Sequence, residues 1–302
     1  MIYTDYNTAQ KGIPFCIALG NFDGMHLGHM ELIKTVVSKS VELDCNSMIY
    51  TFKEHPRKLL YTSTLTKIIT DNKTKIHIAR ECGLKNIYFE DFKNIMTMEP
   101  EIFIREILVK VFKIKCAVAG YNFHFGINGS GDVETLKYFG EKYGFDVFII
   151  KPVMVNGDIV SSTLVRKSLE KGDIDKVSKY LGRNFKIHGN VIHGMKIGGR
   201  IGIRTANISV NPDMIIPRNG VYLTTTIIDQ KEYKSVTNIG YNPTFSRKSL
   251  SIETHIINFD GYLYDSDIEI SFLKRQRDER AFNSIAELKS QINYDISCRL
   301  LL

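Results

Sequence analysis

The stretch Ala18-Leu19-Gly20-Asn21-Phe22-Asp23-Gly24-Met25-His26-Leu27-Gly28-His29 decides how the first half of this chain folds. The residues leading into it, Phe15 to Leu19, form a short apolar run that reads as a buried strand. After it, Ile33, Val36, Val37 and Val41 recur at helical spacing, on one face of a helix. The stretch is therefore a glycine-bearing turn between a strand and a helix, with His26 and His29 on the helix's first turn. A helix N-terminus presents unpaired N–H groups and the positive end of the dipole, which suits a phosphate. The dipole also favours neutral imidazoles, able to exchange hydrogen bonds with a polyphosphate as charge develops. Taken alone, the two histidines also fit a surface pair or two metal ligands, but the six others show no companion spacing. With Gly20, Gly28 and Asp23 around them, nucleotide binding is the reading the turn favours.

Outward from this turn, the first half alternates apolar runs with amphipathic stretches. Strands are expected at 15–19, 47–52, 86–89, 116–120 and 146–150, and helices at about 28–43, 71–82, 99–112 and 133–143. Alternation of this kind predicts a parallel sheet with helices on both faces, whose ligands bind beyond the carboxyl ends of the strands. The polar loops fall where that rule wants them: Lys53-Glu54-His55-Pro56 after the second strand, and Gly120-Tyr121-Asn122-Phe123-His124-Phe125-Gly126 after the fourth. Ser161-Ser162-Thr163-Leu164-Val165-Arg166 follows the fifth. There Ser162 or Thr163 is expected to cap a helix beginning near Leu164, with Arg166 on its first turn able to neutralise a phosphate. An ordinary cap beside a solvent-facing arginine is the plainer alternative.

From Phe185 the pattern changes to strands at 185–193, 201–208, 220–229, 232–239, 250–257 and 267–273. Short strands punctuated by turn signals predict a small antiparallel barrel. Ser284-Ile285-Ala286-Glu287 is a capping box opening a last helix, with Ile285, Leu288, Ile292 and Ile296 on one stripe facing the barrel. Three features of this half carry chemistry. The run His193-Gly194-Met195-Lys196-Ile197-Gly198-Gly199-Arg200 is glycine-rich and basic, a cradle for an anion at Gly194, Lys196 and Gly199, although it is no P-loop. Thr205 and Asn207 offer two oxygens on one strand face, as Mg²⁺ with its phosphates prefers, or are simply polar residues on a wet face. In Ser251-Ile252-Glu253-Thr254-His255-Ile256, alternation places Glu253 and His255 opposite the apolar positions. A carboxylate there suits proton abstraction from an attacking hydroxyl, or is a solvated edge residue.

The whole chain agrees with two domains. Its 302 residues are 43% apolar and 24% charged, with a formal charge of +7 that favours an anionic partner. Basic residues are interspersed with 33 acids, so a nucleic-acid stripe is not seen and small phosphorylated ligands fit as well. No apolar run reaches membrane-spanning length, the N-terminus lacks a signal-peptide layout, and the five cysteines form no CxxC pair. Cys16, Cys45, Cys82 and Cys116 are read as reduced core thiols, and a cytoplasmic location is expected.

Taken in order, ALGNFDGMHLGH, TFKEHPRKLL, AGYNFHFG, SSTLVR, YLGRNFKIHGNVIHG, RTANI, NGVY, NIGYNPTF, SIETHIINFDGYLYD and FLKRQRDERAFNSIAELKSQI resemble the bifunctional bacterial riboflavin kinase/FAD synthetase family over nearly the whole length. The resemblance implies a Rossmann-like nucleotidyltransferase domain over 1–182 that adenylylates FMN to FAD, and a riboflavin kinase barrel over 183–302. In the first, His26 and His29 would contact the ATP phosphates, Gly20, Asn21, Phe22, Asp23 and Gly28 would form the turn, and Ser161, Ser162, Thr163 and Arg166 would grip the polyphosphate. Asn122 would lie near the flavin. In the second, Thr205 and Asn207 would hold Mg²⁺-nucleotide, Glu253 would be the general base, and Arg277, in the loop after the last strand, would approach the flavin. The implied partners are ATP, riboflavin and FMN, with no nucleic acid or membrane, on a monomer or weak homo-oligomer. The chain departs from the family's pattern at Arg204, usually proline, and at Asn122, usually an acid. Those departures motivate the alternative that one activity is retained and the other half only binds flavin. An RNA-binding or flavin-sensing protein is the alternative from another class, but the aromatic-and-basic interleaving of a single-strand binder is not seen.

Overall fold

The structure, a computed structural model, describes residues 1–3, 6, 14–60, 66–193, 202–243 and 248–302. It divides into two compact units, Met1–Ser162 and Thr163–Leu302.

The first unit is built on a six-stranded parallel sheet of β1 (Ile2–Tyr3), β2 (Phe15–Leu19), β3 (Asn46–Phe52), β4 (Asn86–Glu90), β5 (Cys116–Gly120) and β6 (Asp146–Ile150), in the order β1-β4-β3-β2-β5-β6. β2 is buried at every position, as a central parallel strand covered on both faces must be. Its alternate side chains feed two cores. Ile17 and Leu19 join the core beneath Phe103, Ile107 and Phe112, while Cys16 and Ala18 join Leu32, Ile33 and Val36 of α1 (Leu27–Glu42). α2 (Asn72–Glu81) packs on the same face as α1 through Ile78 and Ala79, and α3 (Val133–Tyr143) brings Leu136 and Phe139 to the opposite face. The expected doubly covered parallel sheet is present. Strand order reverses between β2 and β5, so the turn after β2 occupies the switch point where such sheets bind ligands.

Two helical expectations need correcting. Val41 is 77% exposed, and α1 instead buries Ser40, whose hydroxyl donates to the Val37 carbonyl at 2.7 Å. The helix expected at 99–112 is a short α-turn, Pro100–Ile102, that widens into a π-helix over Phe103–Val111, burying Phe103, Ile104, Ile107 and Leu108. Cys16, Cys45 and Cys116 are buried free thiols, whereas Cys82 is only half-buried.

The second unit holds α4 (Ser162–Lys171) from its second residue on, α5 (Ile174–Leu181), a closed six-stranded antiparallel barrel and a terminal helix. The barrel strands are β9 (Phe185–Ile192), β10 (Ala206–Val210), β11 (Gly220–Ile228), β12 (Lys231–Pro243), β13 (Lys248–Ile256) and β14 (Asp267–Arg277), closing in the order β10-β13-β12-β11-β14-β9. A two-stranded hairpin, β7 (Met154–Val155) with β8 (Asp158–Ile159), precedes Ser162 in the first unit. The strand expected at 201–208 begins only at Ala206, because the Arg204 carbonyl accepts a hydrogen bond from His255 Nδ1 at 2.8 Å rather than a ladder N–H.

Inside the barrel, Thr224, Thr226, Ser235, Thr237 and Thr254 are fully buried and bond to one another, with Thr224–Ser235 and Thr224–Thr237 both at 2.8 Å. A buried hydroxyl costs free energy unless it is paired, and this network pairs each of them. Helix α6 (Ile285–Leu301) packs on the outer wall near Val221, Leu223 and Val236 through Ile296 and Cys298. Its expected apolar stripe is only partly right, since Ile285 is 68% exposed and the residues it buries are Asp295 and Arg299. Arg299 Nε donates to the Thr224 carbonyl at 2.7 Å, at the point where β11 and β14 slip register. The helix thus satisfies a carbonyl at a ladder irregularity.

Candidate active sites

In the first unit the turn after β2 is tightly folded. Phe22 (φ 47°), Gly24 (φ 86°) and Met25 (φ 44°) all occupy left-handed backbone, which costs a non-glycine residue roughly 1–2 kcal/mol. Phe22 and Met25 are fully buried, and that burial offsets the strain. Glycine at position 24 escapes that strain, and a Cβ there would also lie 3.1 Å from Ile69. Asp23 is buried too, and its Oδ1 accepts hydrogen bonds from the Ile69 and Thr70 amides at 2.9 and 3.1 Å. The carboxylate predicted to line the turn therefore pins a distant segment to it.

His26 is the N-cap of α1, and its Nδ1 accepts from the His29 amide at 3.4 Å. Accepting there puts the ring proton on Nε2. The two imidazoles stack with centroids 3.7 Å apart, and His29 leans on Phe22 at 5.1 Å. Gly28 permits the stack, since a Cβ at that position would lie 3.2 Å from the His26 ring. The Asn21 carbonyl accepts from Thr51 Oγ1 at 2.9 Å and from the buried Lys75 ammonium at 3.3 Å.

The structure brings Ser162 to this turn, its hydroxyl donating to the Asp23 carbonyl at 2.8 Å. Ser162 is the first residue of α4, not the cap of a helix beginning near Leu164, so Ser161 is the residue preceding that helix. Thr163 and Arg166 belong to the second unit, on the first turns of α4. Asn122 is exposed in the loop after β5.

In the second unit, Glu253 lies on the outer wall of the barrel. Ladder register sets it directly opposite Asn207 of β10 on one side and Asn238 of β12 on the other. Directly opposed residues share a face of the sheet, so one carboxylate is flanked by two amide side chains. Ser251 Oγ donates to Glu253 Oε1 at 3.1 Å, and Thr205 Oγ1 reaches Oε2 at 3.5 Å. The row opens on a cavity of about 250 Å³ whose walls include Thr205, Asn238, Glu253, Arg277, Phe282 and Asp295. Thr205 lies just before β10 and not within a strand.

Arg277 is the last residue of β14, which corrects its expected place in the following loop. Its guanidinium pairs with Asp295 of α6 through Nη2 at 2.8 Å and Nε at 3.1 Å, and Gln291 Nε2 donates to the same carboxylate at 2.9 Å. Arg204 is paired on the surface with Asp260 at 3.0 Å. Gly194, Lys196 and Gly199 lie outside the described residues.

Sequence reasoning missed Lys75, Asn238 and Asp295. An Asp71 N-cap was readable ahead of Lys75, but nothing local marks a lysine that will be buried. Asn238 and Asp295 reach the site only through strand register and helix docking.

The oxygens of Thr205 and Asn207 beside Glu253 suit Mg²⁺ carried by a nucleotide's phosphates. Among the described residues there is no cluster of three or more His, Cys, Asp or Glu side chains able to hold a metal unaided.

Comparison with known proteins gives one consistent result across both units. The FAD synthetase family model matches residues 9–164 and the riboflavin kinase family model matches residues 181–299. The bifunctional riboflavin kinase/FMN adenylyltransferase of Buchnera aphidicola subsp. Schizaphis graminum is 34% identical, over 93% of this chain and 91% of its own. That of Bacillus subtilis is 34% identical over 92% and 89%, and that of Escherichia coli 30% over 96% and 93%. A crystal structure described as a macrolide-efflux protein from Streptococcus pneumoniae superposes with a TM-score of 0.90 at 25% identity, covering 98% of this chain and 97% of that one. Among the described residues, no helix is long and apolar enough to cross a membrane.

Proposed function

The chain belongs to the family of bifunctional riboflavin kinase/FMN adenylyltransferases, and from that premise we propose that it makes FMN from riboflavin and FAD from FMN, each step using ATP. The observation that carries this reading is the tandem match of the two family models, one over each half of the chain. The proposed domain assignment is adenylyltransferase over 1–182 and kinase over 183–302.

In the barrel, Glu253 takes the proton from the riboflavin 5′-hydroxyl as that oxygen attacks the γ-phosphorus of ATP, and ADP leaves. Ser251 and Thr205 orient the carboxylate from its two sides. Thr205 and Asn207 would hold Mg²⁺ with the nucleotide, where the ion would offset phosphate charge. Arg277, fixed by Asp295, faces the flavin side of the cavity, and Gly194, Lys196 and Gly199 cradle phosphate.

In the proposed adenylyltransferase domain, the FMN phosphate attacks the α-phosphorus of ATP and pyrophosphate leaves. No covalent enzyme intermediate is required, so positioning and charge neutralisation carry the rate. His26 and His29 contact the phosphates from the start of α1. Gly20, Asn21, Phe22, Asp23 and Gly28 shape the turn they stand on. Ser161, Ser162, Thr163 and Arg166 serve as phosphate ligands, and Asn122 as a flavin contact. The proposed partners are the small-molecule substrates ATP, riboflavin and FMN, and the proposed state is a monomer or weak homo-oligomer.

Purified protein given riboflavin, ATP and Mg²⁺, with flavins separated over time, tests the reading, alongside a second tube started from FMN. FMN followed by FAD in the first tube, and FAD in the second, is the expected result. FMN without FAD would remove the adenylyltransferase activity, and FAD only from supplied FMN would remove the kinase. No turnover in either tube would overturn both.

A further inference from the structure

We propose that Lys75 is a positioning residue for FAD formation, acting through the Asn21 carbonyl to hold the turn that receives the ATP phosphates. Lys75 stands on the first turn of α2 with 7% of its surface exposed. Its ammonium donates to the Asn21 carbonyl at 3.3 Å, within the turn that leads to His26. The charged groups acting on it are Asp23, within the turn, and Asp71, the N-cap of its own helix.

Two independent links then tie the 69–75 segment to the turn. Asp23 reaches outward to the Ile69 and Thr70 amides, and Lys75 reaches inward to Asn21. For stability alone, a buried ammonium is a poor choice, because its desolvation is large and an apolar residue of similar volume often serves as well or better. Burial does lower the Lys75 pKa, with Asp23 and Asp71 acting the other way. A fixed cation behind a turn that must bind four negative charges of a triphosphate has a clear use. It holds the turn's backbone in place and adds positive potential where water screens it least.

This inference rests on the adenylyltransferase reading, and the chain supplies its own control, since riboflavin phosphorylation uses the other unit. Lys75→Met keeps the volume and removes the charge. FAD formation from FMN is expected to lose at least about tenfold in kcat/KM, the effect of one hydrogen bond to a charged group. The loss should fall on the KM for ATP, leaving the KM for FMN and the riboflavin kinase rate as in the wild type. Unchanged ATP kinetics in Lys75→Met, or equal losses toward ATP and FMN, would overturn the proposal. If the wild type forms no FAD, the adenylyltransferase reading fails and the proposal falls with it, a result distinct from both others. Lys75→Ala adds a second measurement that does not rely on Lys75→Met folding. Ethylammonium should restore FAD formation in Lys75→Ala while ethanol of similar size should not. Equal restoration by both would mean that Lys75 only fills space.

Discussion

In the parallel-sheet unit the turn proposed to receive ATP is one continuous stretch, Gly20 to His29, whereas in the barrel the carboxylate is surrounded by residues from separate strands and a helix. The acids of the two units differ accordingly. Asp23 is buried and its Oδ1 is engaged by two backbone amides, so it builds the turn. Glu253 is only half-buried, is met by hydroxyls of Ser251 and Thr205, and lines a cavity. A buried carboxylate held by two amides has a place in the turn's architecture, while the half-buried one lining a cavity is the proposed base.

The largest expected effect lies at Glu253. Glu253→Gln keeps the shape and removes the base, so riboflavin phosphorylation should fall by about 10²–10⁴-fold. FMN adenylylation by the same preparation should be unchanged, and parallel loss of both activities would break the contrast. Next comes His29→Ala, for which FAD formation should drop about 10²-fold by loss of one phosphate donor, with the kinase intact. Steady-state rates from FMN and from riboflavin separate these cases.

Asp23→Ala should act on stability. Leaving two buried amides without their acceptor costs about 1–3 kcal/mol, readable as a lower urea midpoint for the first unit. If this variant lost FAD formation at full stability, Asp23 would belong with Glu253 rather than opposite it.

The smallest effect concerns acid tolerance of the barrel. Burial would raise the Glu269 pKa, but hydrogen bonds from His188 and Lys186 at 2.9 and 2.7 Å overcome it and lower the value from 4.5 to about 2. The folded-state value is depressed, so the stabilisation is complete above pH 4.5 and is lost as pH falls through about 2. Glu269→Gln should therefore narrow the stability gap between neutral and acid solution. Acid unfolding followed by circular dichroism would show it, and an unchanged acid limb would count against the pair.

Much of this architecture was legible beforehand. β2, β5, β6 and α3 stand at their expected residues, because each strand is a short run made mostly of apolar residues and a capped amphipathic helix carries its period and its stop signal within a dozen residues. The His26–His29 pair was legible for the same reason, as one turn of helix joins them. Thr205 was misjudged as a strand residue, since nothing in Arg204-Thr205 signals that the Arg204 carbonyl will be taken by His255, 51 positions away. The stripe on α6 misled in a similar way. Hydrophobic periodicity finds Ile285 and Leu288, but it cannot anticipate that Asp295 meets Arg277 or that Arg299 meets a slipped strand.

By itself the sequence determined the two-part organisation, the alternation that makes a parallel sheet, the run of short strands that makes a barrel and the turn after β2, because each is signalled by apolar periodicity and turn residues close together in the chain. Only the tertiary structure decided that the Asp23 carboxylate meets the Ile69 and Thr70 amides, that Lys75 is buried against the Asn21 carbonyl, and that Asn207, Asn238 and Asp295 gather near Glu253 or Arg277. Those facts depend on register and packing between distant segments. What selects them is apolar burial together with the pairing of buried polar and charged groups that offsets their desolvation, and neither has a local signature.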